Sequence, residues 1–414
     1  MVKPGYKQVE VGIIPKEWED KKLGDIGKVC MCKRIFADQT SGTGEIPFYK
    51  IGTFGKEADA YISRELYEDF KRRFSYPQKG DVLISAAGTL GRSVVFDGKD
   101  SYFQDSNIVW LDLDKEQLCN EYLYHYYKVI QWASSEGSTI ARLYNGIICN
   151  THIAVPDVEE QKKIATVLSE VDELISLTEK QLSKKKAIKQ GAMQELLTGK
   201  KRLPGFSGEW KSDMLPNILQ KDMGIKIGPF GSQLRKEYLL EDGPYRVYGQ
   251  ENVYEHDFTI GTRYLSKERF QQLQSCEICP GDFLISTMGT IGKCAIVPEG
   301  LHKGIMDSHL IRLRIDMQKI LPEYLLHLFS EELGYLKNQT SKLSVGGIMD
   351  GLSTKIVNSL TVYFPVNLVE QQAIAKVLTD LDTEVKALEQ KLGKYRQVKQ
   401  GMMQQLLTGK IRLV

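Results

Sequence analysis

The chain has 414 residues, 42% hydrophobic and 26% charged, which suits two or three ordinary globular cores. Its 55 basic and 53 acidic residues leave a net charge of +2. That excludes a chain-wide basic field, so any contact with a polyanion must come from local patches. Seven cysteines, an odd number, argue against a disulfide framework, and the lone C-x-x-C (Cys276, Cys279) and C-x-C (Cys30, Cys32) lack a second pair at zinc-finger spacing. Reduced thiols in a cytoplasmic protein are the expectation. The polar start, Met1 to Glu10, has no apolar signal-peptide core, and no stretch approaches about 18 uninterrupted apolar residues, so no membrane span is expected.

Residues 1–156 read as a globular α+β module with a curled, mostly antiparallel sheet. Strands are expected over Gly80–Ser85, Ser93–Phe96 and Asn107–Leu113, and a helix over Glu121–Ser134. The turn Gly88-Thr89-Leu90-Gly91 lacks the spacing of a phosphate cradle and fits a tight hairpin better. Arg92 follows it, a candidate phosphate contact. Lys71, Arg72 and Arg73, interleaved with Phe74 and Tyr76, form a basic run. Arg34, Arg142 and Asn145 have the chemistry to read base edges, since guanidinium pairs with guanine and amide with adenine. A solvated loop residue is the plainer reading of each taken alone.

Residues 157–200 read as a long helix. Asp157 is a candidate N-cap, Glu160 completes a capping-box pattern, and Pro156 stops the strand before it. Ile164, Leu168, Val171, Ile175, Thr178 and Leu182 step 4, 3, 4, 3, 4, as the seam of a coiled coil does. Gly199 stands where a C′ glycine ends a helix. About 40 residues at ~1.5 Å each make a rod of about 60 Å. Lys184, Lys185, Lys186 and Lys189 form either a solvated face or a docking surface. Gly191 costs a helix about 1 kcal/mol against alanine; a close helix crossing, a partner's approach or a kink would account for it.

Residues 201–366 repeat the first module. Gly281-Asp282-Phe283-Leu284-Ile285-Ser286 answers Gly80-Asp81-Val82-Leu83-Ile84-Ser85, and Gly289-Thr290-Ile291-Gly292-Lys293 answers the turn ending in Arg92. Asp307-Ser308 matches Asp105-Ser106, Glu323-Tyr324-Leu325 with His327 matches Glu121-Tyr122-Leu123 with His125, and Glu209-Trp210 resembles Glu17-Trp18. Strands are expected over Gly281–Ser286, Ala295–Pro298 and Leu310–Ile315, and a helix over Pro322–Lys337. The basic loop Gly228–Lys236 has its nearest counterpart in character at 71–73. It supplies Gln233, Arg235 and Lys236 as candidate DNA contacts, joined by Gln250, Asn252 and Lys293.

Residues 367–414 read as the second long helix, with Asn367 as N-cap, Glu370 three residues on, and a seam of Ile374, Leu378, Leu381, Val385, Leu388 and Leu392. Glu160 to Glu370 and Lys189 to Lys399 are both 210 residues, so the helices match without a gap. They close on KQGAMQELLTGKKRL and KQGMMQQLLTGKIRL, ended by Gly199 and Gly409. This is a tandem duplication in the order module, helix, module, helix, expected as two whole units with pseudo-two-fold symmetry. The economical partner for each apolar stripe is the other helix, as an antiparallel coiled coil with the modules at opposite ends. The alternative is that each helix packs on its own module. Lys189, Gln190, Gly191, Lys399, Gln400 and Gly401 are candidate partner-docking residues.

No Asn/Asp-Pro-Pro-aromatic motif for methylating a base amine occurs, nor a Walker lysine loop, nor H-E-x-x-H. Pro156-Asp157 with Glu159, Glu160 and Lys162 only loosely resembles a nuclease cluster and serves better as a helix cap. No catalytic residue or metal ligand is assigned, and the chain reads as a non-enzyme. The repeated helix ends (Gln190–Leu203, Gln400–Leu413), the E-Q-x-x-I-A-x-V-L helix starts and the G-D-[VF]-L-I-S…G-T-[LI]-G turns make nearly the whole chain resemble the DNA-specificity (S) subunit of a Type I restriction–modification system. The resemblance implies two target-recognition domains, each reading half of a bipartite double-stranded DNA site. It implies an antiparallel coiled coil that sets the spacer and docks two methyltransferase subunits. It further implies a motor–nuclease subunit for restriction, and no cofactor in this chain, S-adenosylmethionine belonging to the methyltransferase partner. A coiled-coil adaptor with ligand-binding modules and no DNA role is the competing reading. A stand-alone nuclease is a third, with little in the sequence behind it.

Overall fold

A computed structural model of the chain describes residues 2–132, 142–343 and 352–414. Two compact units emerge, one of Met1–Glu179 with Gln390–Val414, the other Lys180–Glu389. The long helices, Val158–Leu196 and Leu368–Leu406, are each continuous over 39 residues. Each unit therefore takes the start of one helix and the end of the other. That differs from the partition at 156/157, 200/201 and 366/367 drawn from sequence, which kept each helix whole.

In the first unit, an antiparallel sheet runs in the order Gly27–Met31, Ile108–Leu113, Val82–Ser85, Ser93–Val95. The second unit repeats that order with Ile225–Ile227, Leu310–Leu313, Phe283–Ser286 and Cys294–Ile296. Each unit adds a small sheet with one parallel pair, Ile46–Tyr49 with Tyr102–Phe103, and Tyr245–Tyr248 with Gly304–Met306. Each also ties its module's first part to the strand that enters a long helix: Glu19–Lys22 pairs with His152–Val155, and Trp210–Met214 with Thr361–Pro365. The expected strands are present within one or two residues of their ends. The helix expected over Glu121–Ser134 covers Asn120–Tyr127, and Ser134 lies outside the described residues. The helix expected over Pro322–Lys337 is two helices, Pro322–Leu328 and Tyr335–Leu343. Gly334, at φ +69°, stands between them in a left-handed conformation that a continuous helix cannot contain.

The glycine turns are hairpin turns. Ser85 and Ser286 each brace theirs, the hydroxyl accepting from Arg92 N (2.9 Å) or Lys293 N (3.0 Å) while donating back to Thr89 O or Thr290 O. Gly88, Gly91, Gly289 and Gly292 all have positive φ, from 64° to 86°, which explains the spacing shared by both copies.

The helix starts are core. Ile164 and Leu168 are buried among Trp18, Leu23, Tyr122 and Leu123, in the same cluster as Leu406 and Leu407 from the end of the other helix. In the second unit Ile374 and Leu378 share a core with Met193, Leu196 and Leu197. Farther along, Val171, Ile175, Leu182, Leu381, Val385 and Leu388 are only half-buried, while Thr178 and Leu392 are buried. The ends of each helix are thus module core, and the stripe is less deeply covered between them.

The capping box forms only by half. Asp157 Oδ1 accepts from Glu160 N at 2.9 Å, and Asn367 Oδ1 from Val369 N at 2.9 Å. The Glu160 and Glu370 side chains, however, turn into the protein, 1% and 0% exposed. Arg412 grips Glu160 through Nε and Nη2, both at 2.8 Å, and Trp18 Nε1 donates to it at 3.0 Å. Arg202 grips Glu370 at 2.5 and 2.6 Å. Both arginines lie over the ring of the matched tryptophan, Trp18 or Trp210. Beside each glutamate, a buried glutamine ties helix to module. Gln161 Nε2 donates to Gln117 O and Pro156 O and its Oε1 accepts from Cys119 N; Gln371 does the same with Lys319 O, Pro365 O and Leu321 N.

A buried carboxylate held this way is costly to leave unpaired or to remove alone. Glu160→Ala, which strands Arg412, should destabilise the first unit by about 3 kcal/mol, and Glu370→Ala the second by a similar amount. Urea unfolding followed by the tryptophan on the affected side, Trp18 or Trp210, checks this.

Candidate nucleic-acid interface

In the first module, the predicted basic residues fall into three groups. Arg34 Nε reaches Asp105 Oδ2 at 2.8 Å with its side chain 59% exposed, and Arg142 Nη2 donates to Ser106 Oγ at 2.8 Å and Asn107 Oδ1 at 3.3 Å. Both brace the turn at Asp105–Asn107, whose Ser106 has the unusual φ of +52°. Lys71, Arg72 and Arg73 end the helix Arg64–Arg73, with Arg72 and Arg73 paired to Asp69 and Lys71 donating to Tyr67 Oη at 2.8 Å. Phe74 joins this run to the first group, since Lys33 Nζ and Arg73 Cζ both lie over its ring, at 5.2 and 5.1 Å. Arg92 is half-buried and donates to Phe54 O at 3.1 Å, so it anchors a loop of its own module. Asn145 is exposed at the first residue of the helix Asn145–Asn150.

In the second module, Gln233, Arg235 and Lys236 are exposed on one loop, with Arg269, which sequence reasoning missed, donating to Gln233 O. Arg269 also lies over the Tyr238 ring at 4.1 Å. Lys293 pairs with Glu331 at 2.8 Å. Gln250 accepts from Tyr254 Oη, which also lies 3.2 Å from both Met288 O and Thr290 O at the glycine turn. Asn252 does not fit the part expected of it. It is 1% exposed, and its amide is consumed by Gly249 N, Asp257 O and Ile260 O, so it fixes its own loop and offers nothing to a base. The pairing of the 228–236 loop with 71–73 is also corrected. The strands Gly27–Met31 and Ile225–Ile227 hold the same edge of their sheets, so the counterpart of Gly228–Lys236 is the loop after Met31.

The proposed docking residues divide likewise. Lys189 bridges Glu332 and Asp382, both at 2.5 Å, and Gln190 Nε2 donates to Glu332 O at 3.1 Å. Burial alone would lower the Lys189 pKa, but Asp382 and Glu332 outweigh it and hold it raised. Lys399 bridges Asp172, and there burial prevails and lowers the lysine. Both ammonium groups are thus engaged within the chain. Gln400 is exposed, and a Cβ added at Gly191 or Gly401 would have open space within 4 Å.

These lysines belong to a repeated joint. His125 Nε2 lies 3.0 Å from Ser169 Oγ, with Asp172 3.9 Å from Nδ1. His327 lies 2.9 Å from Thr379 Oγ1, with Asp382 at 3.7 Å. The E-Y-L-x-H phrase in each module is therefore the half of the joint that meets a long helix. Burial, aided by Lys128, pushes His125 down to about 4, and burial lowers His327 as well. Among the described residues no cluster of potential metal ligands occurs, and no helix is long and apolar enough to cross a membrane.

The model of the Type I restriction modification DNA specificity domain matches the chain twice, over residues 15–187 and 229–399. A putative type I restriction enzyme specificity subunit of Haemophilus influenzae is 55% identical over 159 residues, 38% of this chain and 41% of that protein. The putative type I restriction enzyme MjaX specificity subunit of Methanocaldococcus jannaschii is 24% identical over 99% of this chain and 97% of its own length. In fold, the chain resembles the crystal structure of a Type-I restriction-modification system S subunit from M. genitalium, with TM-score 0.60, 15% identity, and 94% and 96% of the two chains covered.

The buried histidines set a pH dependence. A histidine whose folded pKa lies below its unfolded value leaves the unfolded chain holding more protons between the two values, so stability falls as pH drops through about 6.5 toward about 4. At pH 5, His125 alone should remove on the order of 2 kcal/mol, with His327 adding in the same direction. Thermal unfolding at pH 7.5 and pH 5 should show this loss, and the double variant His125→Asn/His327→Asn should lose most of the slope.

Proposed function

Because the chain belongs to the Type I restriction modification DNA specificity family, we propose that it is the non-catalytic subunit that recognises a bipartite double-stranded DNA site, each module reading one half. The observation that carries this reading is the unequal likeness of the two copies. Clamps, joints, strand order and helix starts recur at matching positions with few changes of chemistry, while the loops bearing Arg34, Lys71–Arg73, Gln233, Arg235 and Lys236 differ in length and sequence. A framework that stays fixed while exposed polar and basic loops vary suits two readers of different sequences.

The long helices form an antiparallel coiled coil that sets the spacer between half-sites. In the first unit Arg396 pairs with Glu179 and Lys399 with Asp172; in the second Lys185 pairs with Glu384 and Lys186 with Glu389. In the first unit, numbers on one helix fall as those on the other rise, as antiparallel packing requires. The same helices dock two methyltransferase subunits, which bring S-adenosylmethionine and methylate adenine, and a motor–nuclease subunit joins them for restriction. Ile188 and Val398, 45% and 52% exposed, stand three residues before the open glycines Gly191 and Gly401. One helical turn apart, each pair makes a small apolar, side-chain-free patch that a partner can approach closely.

Sequencing the methylated sites of cells that carry this chain with a methyltransferase subunit should return one motif with two half-sites and a fixed spacer. Methylation without such a motif, or a motif that is unchanged when this chain is deleted, would support the adaptor instead. Gly191→Gln and Gly401→Gln should leave the free chain as stable or about 0.5 kcal/mol more so, since helix propensity rises. They should weaken capture of the methyltransferase subunit about tenfold, measured by titration of one purified subunit with the other.

A further inference from the structure

The two edge strands end alike. Met31 lies opposite Val109 and Ile227 opposite Ile311, and those partners face Ile84 and Ile285 on the next strand. The chain continues as Cys32-Lys33-Arg34-Ile35-Phe36 in one module and as the shorter Gly228-Pro229-Phe230 in the other. Despite that difference, both loops build the same object. A phenylalanine opens a single 3-10 turn, Ala37–Gln39 or Gly231–Gln233, and the glutamine at its end reaches back to that phenylalanine. Phe36 N donates to Gln39 Oε1 at 2.9 Å and Phe230 N to Gln233 Oε1 at 3.1 Å, while the glutamine N–H donates to the phenylalanine carbonyl at 3.0 and 2.8 Å. Four hydrogen bonds, two per turn, thus fix the backbone beneath each ring.

The rings themselves are not packed. Phe36 is 60% exposed and Phe230 72%, more than any other aromatic ring among the described residues. Packing does not account for a braced turn that holds phenylalanine out into water, and its recurrence on unrelated loop sequences shows that it is no accident of one loop. The surroundings point to the kind of partner. Lys33 and Arg34 precede Phe36, Arg235 and Lys236 come after Phe230, and Arg269 donates to the carbonyl of Gln233. Those four flanking cations are all exposed. Beside each loop stands the matched Asp-Ser turn, held by Arg34 in the first module. In the second it is pressed so closely on Gly228 that a side chain there would overlap Asp307 O. An apolar ring rimmed by cations matches a DNA duplex, whose phosphates take the charges while the ring meets a thymine methyl or a base face.

We propose that Phe36 and Phe230 are base-contacting residues, one per module, and that Gln39 and Gln233 are the positioning residues that aim them. The proposal rests on the reading of the modules as DNA-recognition domains. It is tested with the complex of the full chain and its methyltransferase subunits, offered a library of randomised duplexes that is selected and sequenced. Phe36→Ala should erase the preference at one or two base pairs in one half-site and weaken binding to the selected duplex roughly 5- to 100-fold. Phe230→Ala should do the same in the other half-site only, and Phe36→Trp and Phe230→Trp should restore much of the affinity. Gln39→Ala should broaden the same base positions as Phe36→Ala but less completely. Unchanged preference and affinity in both alanine variants, with the wild-type complex still selecting a bipartite site, would overturn the proposal and leave the DNA reading standing. So would a loss that is equal for all sequences, which marks a backbone contact, or a loss of methyltransferase capture instead. A wild-type complex that selects no sequence would overturn both. Since the rings are exposed, thermal unfolding of the alanine variants should match wild type.

Discussion

Glu160 and Glu370 stand at the starts of two helices, almost wholly removed from water. A carboxylate tolerates that only with a counter-charge held at fixed geometry. The counter-charge is the arginine just past the end of the other long helix, Arg412 or Arg202. Neither arginine is near its glutamate in sequence, so neither pair forms until both helices are in place. Around each clamp the same parts recur: a tryptophan under the guanidinium, a glutamine tying the helix start to a strand end, and a histidine on the module against the helix side. Each unit's core is closed by residues from two helices, and that makes the helices a structural member of both modules.

Much of this was legible in the sequence for a physical reason. Helix geometry depends on periodicity and on a few end residues, and both were duplicated without a gap, so the 3.5-residue stripe, the caps at Asp157 and Asn367 and the terminal glycines at 199 and 409 could be placed. Gly409 combines a φ of +67° with contact on Pro15, and no other residue type meets both demands easily. The role of Glu160 was not legible. Its spacing from Asp157 is that of a capping box, and only the fold brings Arg412, some 250 residues away, to its carboxylate. The same holds for Lys189 and Lys399, which read from sequence as candidate docking residues and are bridged to acidic partners within the chain.

The candidate interface was legible in part. Residue chemistry picked out Arg34, Arg235 and Lys236, and all three are exposed, as cations on glycine-rich or irregular segments usually are. It could not separate Gln233, which ends an exposed turn, from Asn252, which is consumed inside a loop; both are amides near a glycine, and only burial tells them apart. Nor could it show that the loops after Met31 and Ile227 are equivalents, since they differ in length by two residues and share only a Phe-x-x-Gln spacing. That spacing is the signal by which the turn could have been found. The two modules are thus alike where they touch their own helices and different where they face outward, which is the division expected of a device whose geometry is inherited and whose specificity is free to vary.

The most direct measurement changes geometry and nothing else. One heptad, seven residues of seam-compatible sequence, is inserted into each long helix at matching places between the two units, and the methylated sites are sequenced again. Seven residues add about 10 Å of helix, about three base pairs of duplex. The account predicts the same two half-sites with a spacer longer by about three base pairs. An unchanged spacer, or altered half-sites, would contradict it.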